Sequence, residues 1–151
     1  MEEKRKISEN VLDNNENEID VIVGMKVLVV EDNELNLDIV QEVLKERGLI
    51  VTGAENGQIA VDLFGENPPG TFDVILMDMH MPVLDGVEAT KQIRAMERPD
   101  AKTIPILALT ANDCEEDIRR TREAGMNDHL TKPFDMEKIF GVLAEYAVPG
   151  D

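Results

Sequence analysis

The sequence predicts an α/β fold: a doubly wound, five-stranded parallel sheet with helices on both faces. Short runs rich in Val, Ile and Leu alternate five times with segments of helical periodicity. These runs are apolar almost throughout, not at every second residue, which is the pattern of strands covered on both faces. Strand and helix in strict alternation specify parallel pairing with right-handed crossovers.

The predicted strands are MKVLVV (25–30), LIVTGA (49–54), FDVILM (72–77), IPILAL (104–109) and the weaker DHL (128–130). The first helix, 34–47, is expected to bury Leu35, Ile39, Val40, Val43 and Leu44. The second, 57–65, offers Ile59, Ala60, Leu63 and Phe64, and the third, 86–96, offers Val87, Ala89, Ile93 and Met96. A fourth helix over 113–124 opens on Asp113 and Glu116 at capping-box spacing. It carries little that is apolar beyond Ile118 and Ala124, so it is expected to be the least anchored. The last, 136–147, has Asp135 as N-cap, Phe134 and Ile139 as a hydrophobic staple, and Phe140, Leu143 and Ala144 on its buried side.

At 151 residues and 42% hydrophobic content, the chain can bury one ordinary core. Residues 1–24 hold seven acids and three bases and only the apolar cluster VIV at 21–23. That is too little burial to offset ordering entropy, so a flexible acidic tail is expected there, a folded domain over 25–147 and a short C-terminal tail at 148–151. The remainder, residues 25–151, still carries 25 acids against 12 bases. A net charge of -17 overall, with no basic patch, argues against phosphate backbones and anionic membrane surfaces as partners. One cysteine, Cys114, excludes an internal disulfide, and no run approaches the roughly 18 apolar residues of a membrane span. The N-terminus lacks the apolar segment of a secretory signal, and a cytoplasmic location is expected.

In open parallel sheets the ligand site lies beyond the carboxyl ends of the strands, where the strand order switches. The first predicted strand leads into Glu31 and Asp32, the third into Asp78, the fourth into Thr110, and the fifth into Thr131, Lys132 and Pro133. The second offers only Ala54-Glu55-Asn56. Three carboxylates, a hydroxyl and an amine thus converge on one edge. Alone, Asp78 reads equally well as a turn cap; with Glu31, Asp32 and Lys132 beside it, a functional role outweighs that reading.

VLVVEDN, ILMDMHMPVLDG, ILALTA and HLTKPF, in this order on the ends of four predicted strands, resemble the receiver domain of two-component response regulators, a CheY-like, flavodoxin-like (βα)5 fold. The resemblance covers residues 25 to about 147 and comes nearest to the receivers of hybrid histidine kinases. It implies that Asp78 accepts a phosphoryl group from a histidine kinase or histidine phosphotransfer protein, with Mg²⁺ bound. It further implies that Asp32 and Asp78 ligate the ion, Glu31 acts through water and the His80 backbone carbonyl completes the set. Lys132 and Thr110 then meet the phosphoryl oxygens. Pro133 aims Lys132 inward, Ala111 leaves room beside Thr110, and Gly86 serves the turn after Met81-Pro82. Switching would run from Thr110 to the face of the fourth and fifth helices. His129 stands where many receivers carry Tyr or Phe, and the readings of it as a switch residue and as an ordinary strand residue are evenly balanced.

The residues support this chemistry by themselves. Crowded carboxylates in a partly desolvated pocket take up protons or recruit a cation, and all-oxygen donors suit a hard ion that keeps its waters, as Mg²⁺ does. His80 and His129 have no third nitrogen or sulfur ligand in view for zinc. Cys114, Met77, Met79 and Met81 read as packing or surface residues. A phosphoaspartate hydrolase would want a second acid two residues past its nucleophile, where this chain has His80. A flavin or nucleotide module would want a glycine-rich phosphate loop, where this chain has Glu31-Asp32-Asn33. A constitutive interaction module would have no need of five intact site residues. The expected product is therefore a signalling switch, not an enzyme acting on external substrates. The initiating Met and polar tail favour a single-domain protein over a receiver cut from a hybrid histidine kinase, but the sequence leaves that choice, the output partner and the oligomeric state open, a phosphorylation-dependent dimer included.

Overall fold

The computed structural model describes residues 22–81, 83–110, 115–131 and 136–147. Their elements run β1 (Lys26–Val30), α1 (Glu34–Glu46), β2 (Ile50–Ala54), α2 (Gly57–Glu66), β3 (Val74–Asp78), α3 (Gly86–Arg94), β4 (Ile106–Thr110), α4 (Glu115–Ala124), β5 (Asp128–Thr131) and α5 (Met136–Tyr146). All strands are parallel, in the order β2-β1-β3-β4-β5. The order reverses between β1 and β3, so the loops after these two strands diverge and leave a crevice at their carboxyl ends.

Each face of the sheet carries its own core. Leu28, Val30, Ile75, Met77, Ile106 and Ala108 pack beneath α2, α3 and the end of α4. Residues of opposite parity, Val27, Val29, Val74, Leu76, Leu107 and Leu109, pack beneath α1 and α5. Strands β3 and β4 are buried along their whole length, and β1 along all but Lys26. The expectation of burial on both faces holds for these central strands only. Strand β2 is an edge, with Ile50 58% exposed, and β5 forms the other edge.

In α1 the inward stripe is Leu37, Val40 and Leu44, while Leu35 and Ile39 are 67% and 50% exposed. The expected core positions Leu35 and Ile39 are therefore surface. The helix carries two apolar stripes, and the one nearer β1 and β2 is buried. Ile59, expected in the core through α2, is likewise exposed, whereas Val61 is buried. Ile22 is fully buried in the α1–α5 core, so the end of the expected N-terminal tail belongs to the packed domain. Asp113, Phe134 and Asp135, the expected capping and staple residues, lie outside the described residues.

Candidate functional site

Three consecutive residues after β1 divide the local work. Glu31 is buried and its Oε2 accepts the Asn33 N–H at 3.1 Å. Asn33 caps α1, its Oδ1 accepting the Asn36 N–H at 2.9 Å. Asp32, between them, is exposed at the mouth of the crevice. On the neighbouring strand, Asp78 is the last residue of β3 and is 4% exposed. Its Oδ1 accepts the His80 N–H at 3.2 Å, an Asx turn that fixes the carboxylate against its own loop. One oxygen from each of Glu31, Asp32 and Asp78 lies within 4.8 Å of the others.

Two of these three carboxylates are buried, and carboxylates this close together repel one another and favour a cation between them. The donors are all oxygens, and Asp32 leaves the cluster open to solvent. That set suits a hard divalent ion that retains water ligands, so the residues fit Mg²⁺.

Thr110 ends β4 beside β3, fully buried, and its Oγ1 has no hydrogen-bond partner among the described residues. An unsatisfied buried hydroxyl costs about 1–3 kcal/mol, which a ligand oxygen reaching it would recover. His129 pairs with Ala108 in the β4–β5 register, and Thr110 pairs with Thr131. Thr110 and His129 thus share one sheet face as diagonal neighbours, with Ala108 and Thr131 directly beside them. That face is the α4 side. The His80 side chain is exposed and outside the cluster. Lys132, Pro133 and Ala111 lie outside the described residues.

Gly86 does more than serve a turn. A Cβ there would collide with the Asp78 carbonyl oxygen and come within 3.0 Å of the Met79 Cα, so the first residue of α3 sits directly against the end of β3. Its N–H donates to the Met79 carbonyl at 3.0 Å, and Asp85 caps the helix by accepting the Glu88 N–H at 2.9 Å. Sequence reasoning missed Gly57, whose Cβ would strike the Leu84 carbonyl, seating α2 beneath the same loop. A glycine directly after the Asn56 cap, where a better helix former costs less, was the available signal.

Val83, in that loop, has φ of 73° and is 78% exposed. A β-branched residue in left-handed backbone is strained, while Asn tolerates it. Val83→Asn is expected to stabilise the fold by about 1 kcal/mol, since almost no buried area is lost. The check is a higher urea midpoint at an unchanged m-value.

The family model described as response regulator receiver domain matches residues 27–144. Over 124 residues the chain is 38% identical to hybrid signal transduction histidine kinase I of Dictyostelium discoideum, covering 81% of this chain and 7% of that kinase. Over 144 residues it is 33% identical to histidine kinase 3 of Arabidopsis thaliana, covering 83% of this chain and 14% of that protein. The chain is thus similar to a small part of these relatives.

Among solved structures, the receiver domain of a Pseudomonas aeruginosa sensor histidine kinase, with a magnesium ion in its active site cleft, matches with TM-score 0.74 and 38% identity over 83% of this chain and 98% of that one. The Saccharomyces cerevisiae co-crystal structure of the phosphotransfer protein Ypd1 and the Ssk1 receiver domain matches with TM-score 0.76 and 35% identity, over 83% of this chain and 90% of that one. With its 2-1-3-4-5 sheet and the acidic cluster at the switch in strand order, the chain belongs to the response regulator receiver domains of two-component phosphorelays.

Proposed function

We propose that Asp78 is the phosphoacceptor and that the Glu31–Asp32–Asp78 cluster holds Mg²⁺ for the transfer. The observation that carries this is the meeting of three carboxylates within 4.8 Å at the switch point, two of them buried. An Asp78 oxygen attacks phosphorus, the P–N bond of a phosphohistidine breaks, and the imidazole leaves with the electron pair. Phosphoryl transfer needs chiefly in-line positioning and charge stabilisation. The buried β3 behind Asp78 and the His80 N–H supply the positioning. Asp32 and Asp78 would hold the ion directly, Glu31 would act through water, and the His80 backbone carbonyl would complete the set. A bound Mg²⁺ contributes positive charge where the anionic phosphoryl group enters an acidic pocket. Thr110 donates its hydroxyl proton to a phosphoryl oxygen, and Lys132 pairs with another. Rearrangement of Thr110 reaches His129 by their diagonal neighbourhood and so the faces of α4 and α5.

The partner is a histidine kinase or histidine phosphotransfer protein, with an output protein downstream, in the cytoplasm, with neither nucleic acid nor membrane bound. Among the described residues, no helix is long and apolar enough to cross a membrane. Leu35 and Ile39 on α1 and Val83 after β3 give the site an exposed apolar rim, which suits a protein donor. Leu35→Ser with Ile39→Ser is expected to change stability by under about 0.5 kcal/mol. It should slow transfer from a phosphorylated histidine protein about tenfold or more while leaving acetyl phosphate labelling unchanged. Equal slowing with both donors would remove the rim from docking.

The test of the site is an amide spectrum with Mg²⁺ and beryllofluoride, a phosphoryl mimic. Shifts at 31–33, 78–80 and 110 that require Mg²⁺ support the assignment, and binding that leaves these amides unmoved opposes it. Lys132→Ala should keep the fold and the Mg²⁺ shifts but lose the response at Thr110 and His129. A wild-type response in that variant would contradict the role of Lys132.

A further inference from the structure

Among the described residues, α4 is anchored at its C-terminal end. Its buried side chains are Thr121 and Ala124, whereas Glu115, Glu116 and Arg119 in the first half are exposed and Ile118 is half-buried. Between α4 and β5 lies a crevice of about 160 Å³, lined by Ile118, Thr121 and Arg122 of the helix, Met126 and Asn127 of the turn and Asp128 and His129 of the strand.

The C-terminal end is built differently. Gly125, at φ of 103°, closes α4 in a Schellman motif: the Met126 N–H donates to the Thr121 carbonyl at 2.9 Å and the Gly125 N–H to that of Arg122 at 3.1 Å. From α3, Arg94 reaches across to this turn. Its Nε and Nη2 donate to the Gly125 carbonyl at 3.1 and 2.8 Å, Nη2 also to Asn127 Oδ1 at 3.0 Å, and Nη1 to the Ala101 carbonyl at 3.0 Å. Asn127 Oδ1 in turn accepts the Ile106 N–H at 2.9 Å, and the Asn127 N–H donates to the Ile106 carbonyl at 2.7 Å, tying the turn to the start of β4. A Cβ on Gly125 would lie 3.3 Å from both Cγ and Nε of Arg94, so glycine also makes room for the guanidinium. These acceptors, the Gly125 and Ala101 carbonyls and the Asn127 amide, are neutral, and the charge of Arg94 faces the carbonyl end of the α4 dipole. Burial lowers its pKa from the ordinary arginine value, yet the guanidinium stays protonated.

We infer that Arg94 is a positioning residue for switching: it pins the C-terminal end of α4 to α3 and, through Asn127, to the start of β4. Motion begun at Thr110 then tilts the first half of α4 over the His129 crevice instead of sliding the whole helix. A planar fork that fills several carbonyl sites at once holds such a joint better than a lysine can. The inference rests on Asp78 as the site of activation.

The experiment compares amide shifts and hydrogen exchange, with and without Mg²⁺ and beryllofluoride, in the wild type, Arg94→Met and Arg94→Lys. In the wild type, residues 115–119 and His129 should shift while 125–127 stay fixed. In Arg94→Met the shifts at 31–33 and 78–80 should match the wild type, those on α4 should spread into 125–127, and exchange of the Met126 and Asn127 amides should quicken about tenfold or more. Arg94→Lys should fall between. A merely structural arginine would lower the midpoint of unfolding and leave the activation pattern unchanged, and that result overturns the inference. Should Arg94→Met fail to fold, the wild type decides, because shifts at 125–127 as large as those at 115–119 exclude a pinned end. No response at 78–80 in the wild type removes the Asp78 reading and this inference together, whereas a response there with a mobile 125–127 removes this inference alone.

Discussion

Asp78→Asn is expected to take up no phosphoryl group from a phosphorylated histidine protein and to be no less stable than the wild type. An amide cannot act as the attacking oxyanion, so the loss is complete. The Asn Oδ1 can still accept the His80 N–H, so the turn after β3 survives. Removing one of three carboxylates within 4.8 Å relieves repulsion worth about 1 kcal/mol or more at a partly buried site. A transfer assay with labelled donor and a urea midpoint read the two effects. A labelled variant would move the acceptor role away from Asp78, and a fall of about 2 kcal/mol in stability would show that the carboxylate is mainly structural.

Gly86→Ala should cost about 2–3 kcal/mol, because the obstructing atoms belong to the backbone of Asp78 and Met79 and cannot rotate aside. The same substitution at Gly141 in α5, where no described residue outside the helix's own backbone lies within 4 Å of the new methyl, should stabilise by about 0.5–1 kcal/mol through helix propensity. Opposite signs for one chemical change separate close approach from intrinsic preference. Gly86→Ala should also impair phosphorylation, since relief of the collision displaces the end of β3. Urea midpoints at unchanged m-value measure the stabilities, and a neutral Gly86→Ala would contradict the close approach.

The strand runs were legible because central parallel strands need apolar residues on both sides, and β1, β3 and β4 have them. The edge place of β2 was not legible: IVTGA still reads as a mainly apolar run, and only pairing decides that β2 lies outermost. In α1, Leu35–Ile39–Val43 and Leu37–Val40–Leu44 are both acceptable helical stripes, and tertiary packing chose the second. The acidic cluster was legible because strand ends in an open sheet share an edge, so order along the chain sufficed to bring Glu31, Asp32 and Asp78 together. Gly57 and Arg94 were not, because each acts through a neighbour remote in sequence: the Leu84 carbonyl for one and the α4–β5 turn for the other. No local pattern marks such pairs.

The central claim is that β3 delivers one aspartate, rigid and Mg²⁺-dependent, for phosphorylation. Its most direct test is the intact mass of the protein after incubation with acetyl phosphate and Mg²⁺. The expected result is a single added phosphoryl group, released by alkali as an acyl phosphate must be, and absent when EDTA is present. A mass gain that persists in EDTA, resists alkali or occurs equally in Asp78→Asn would contradict it.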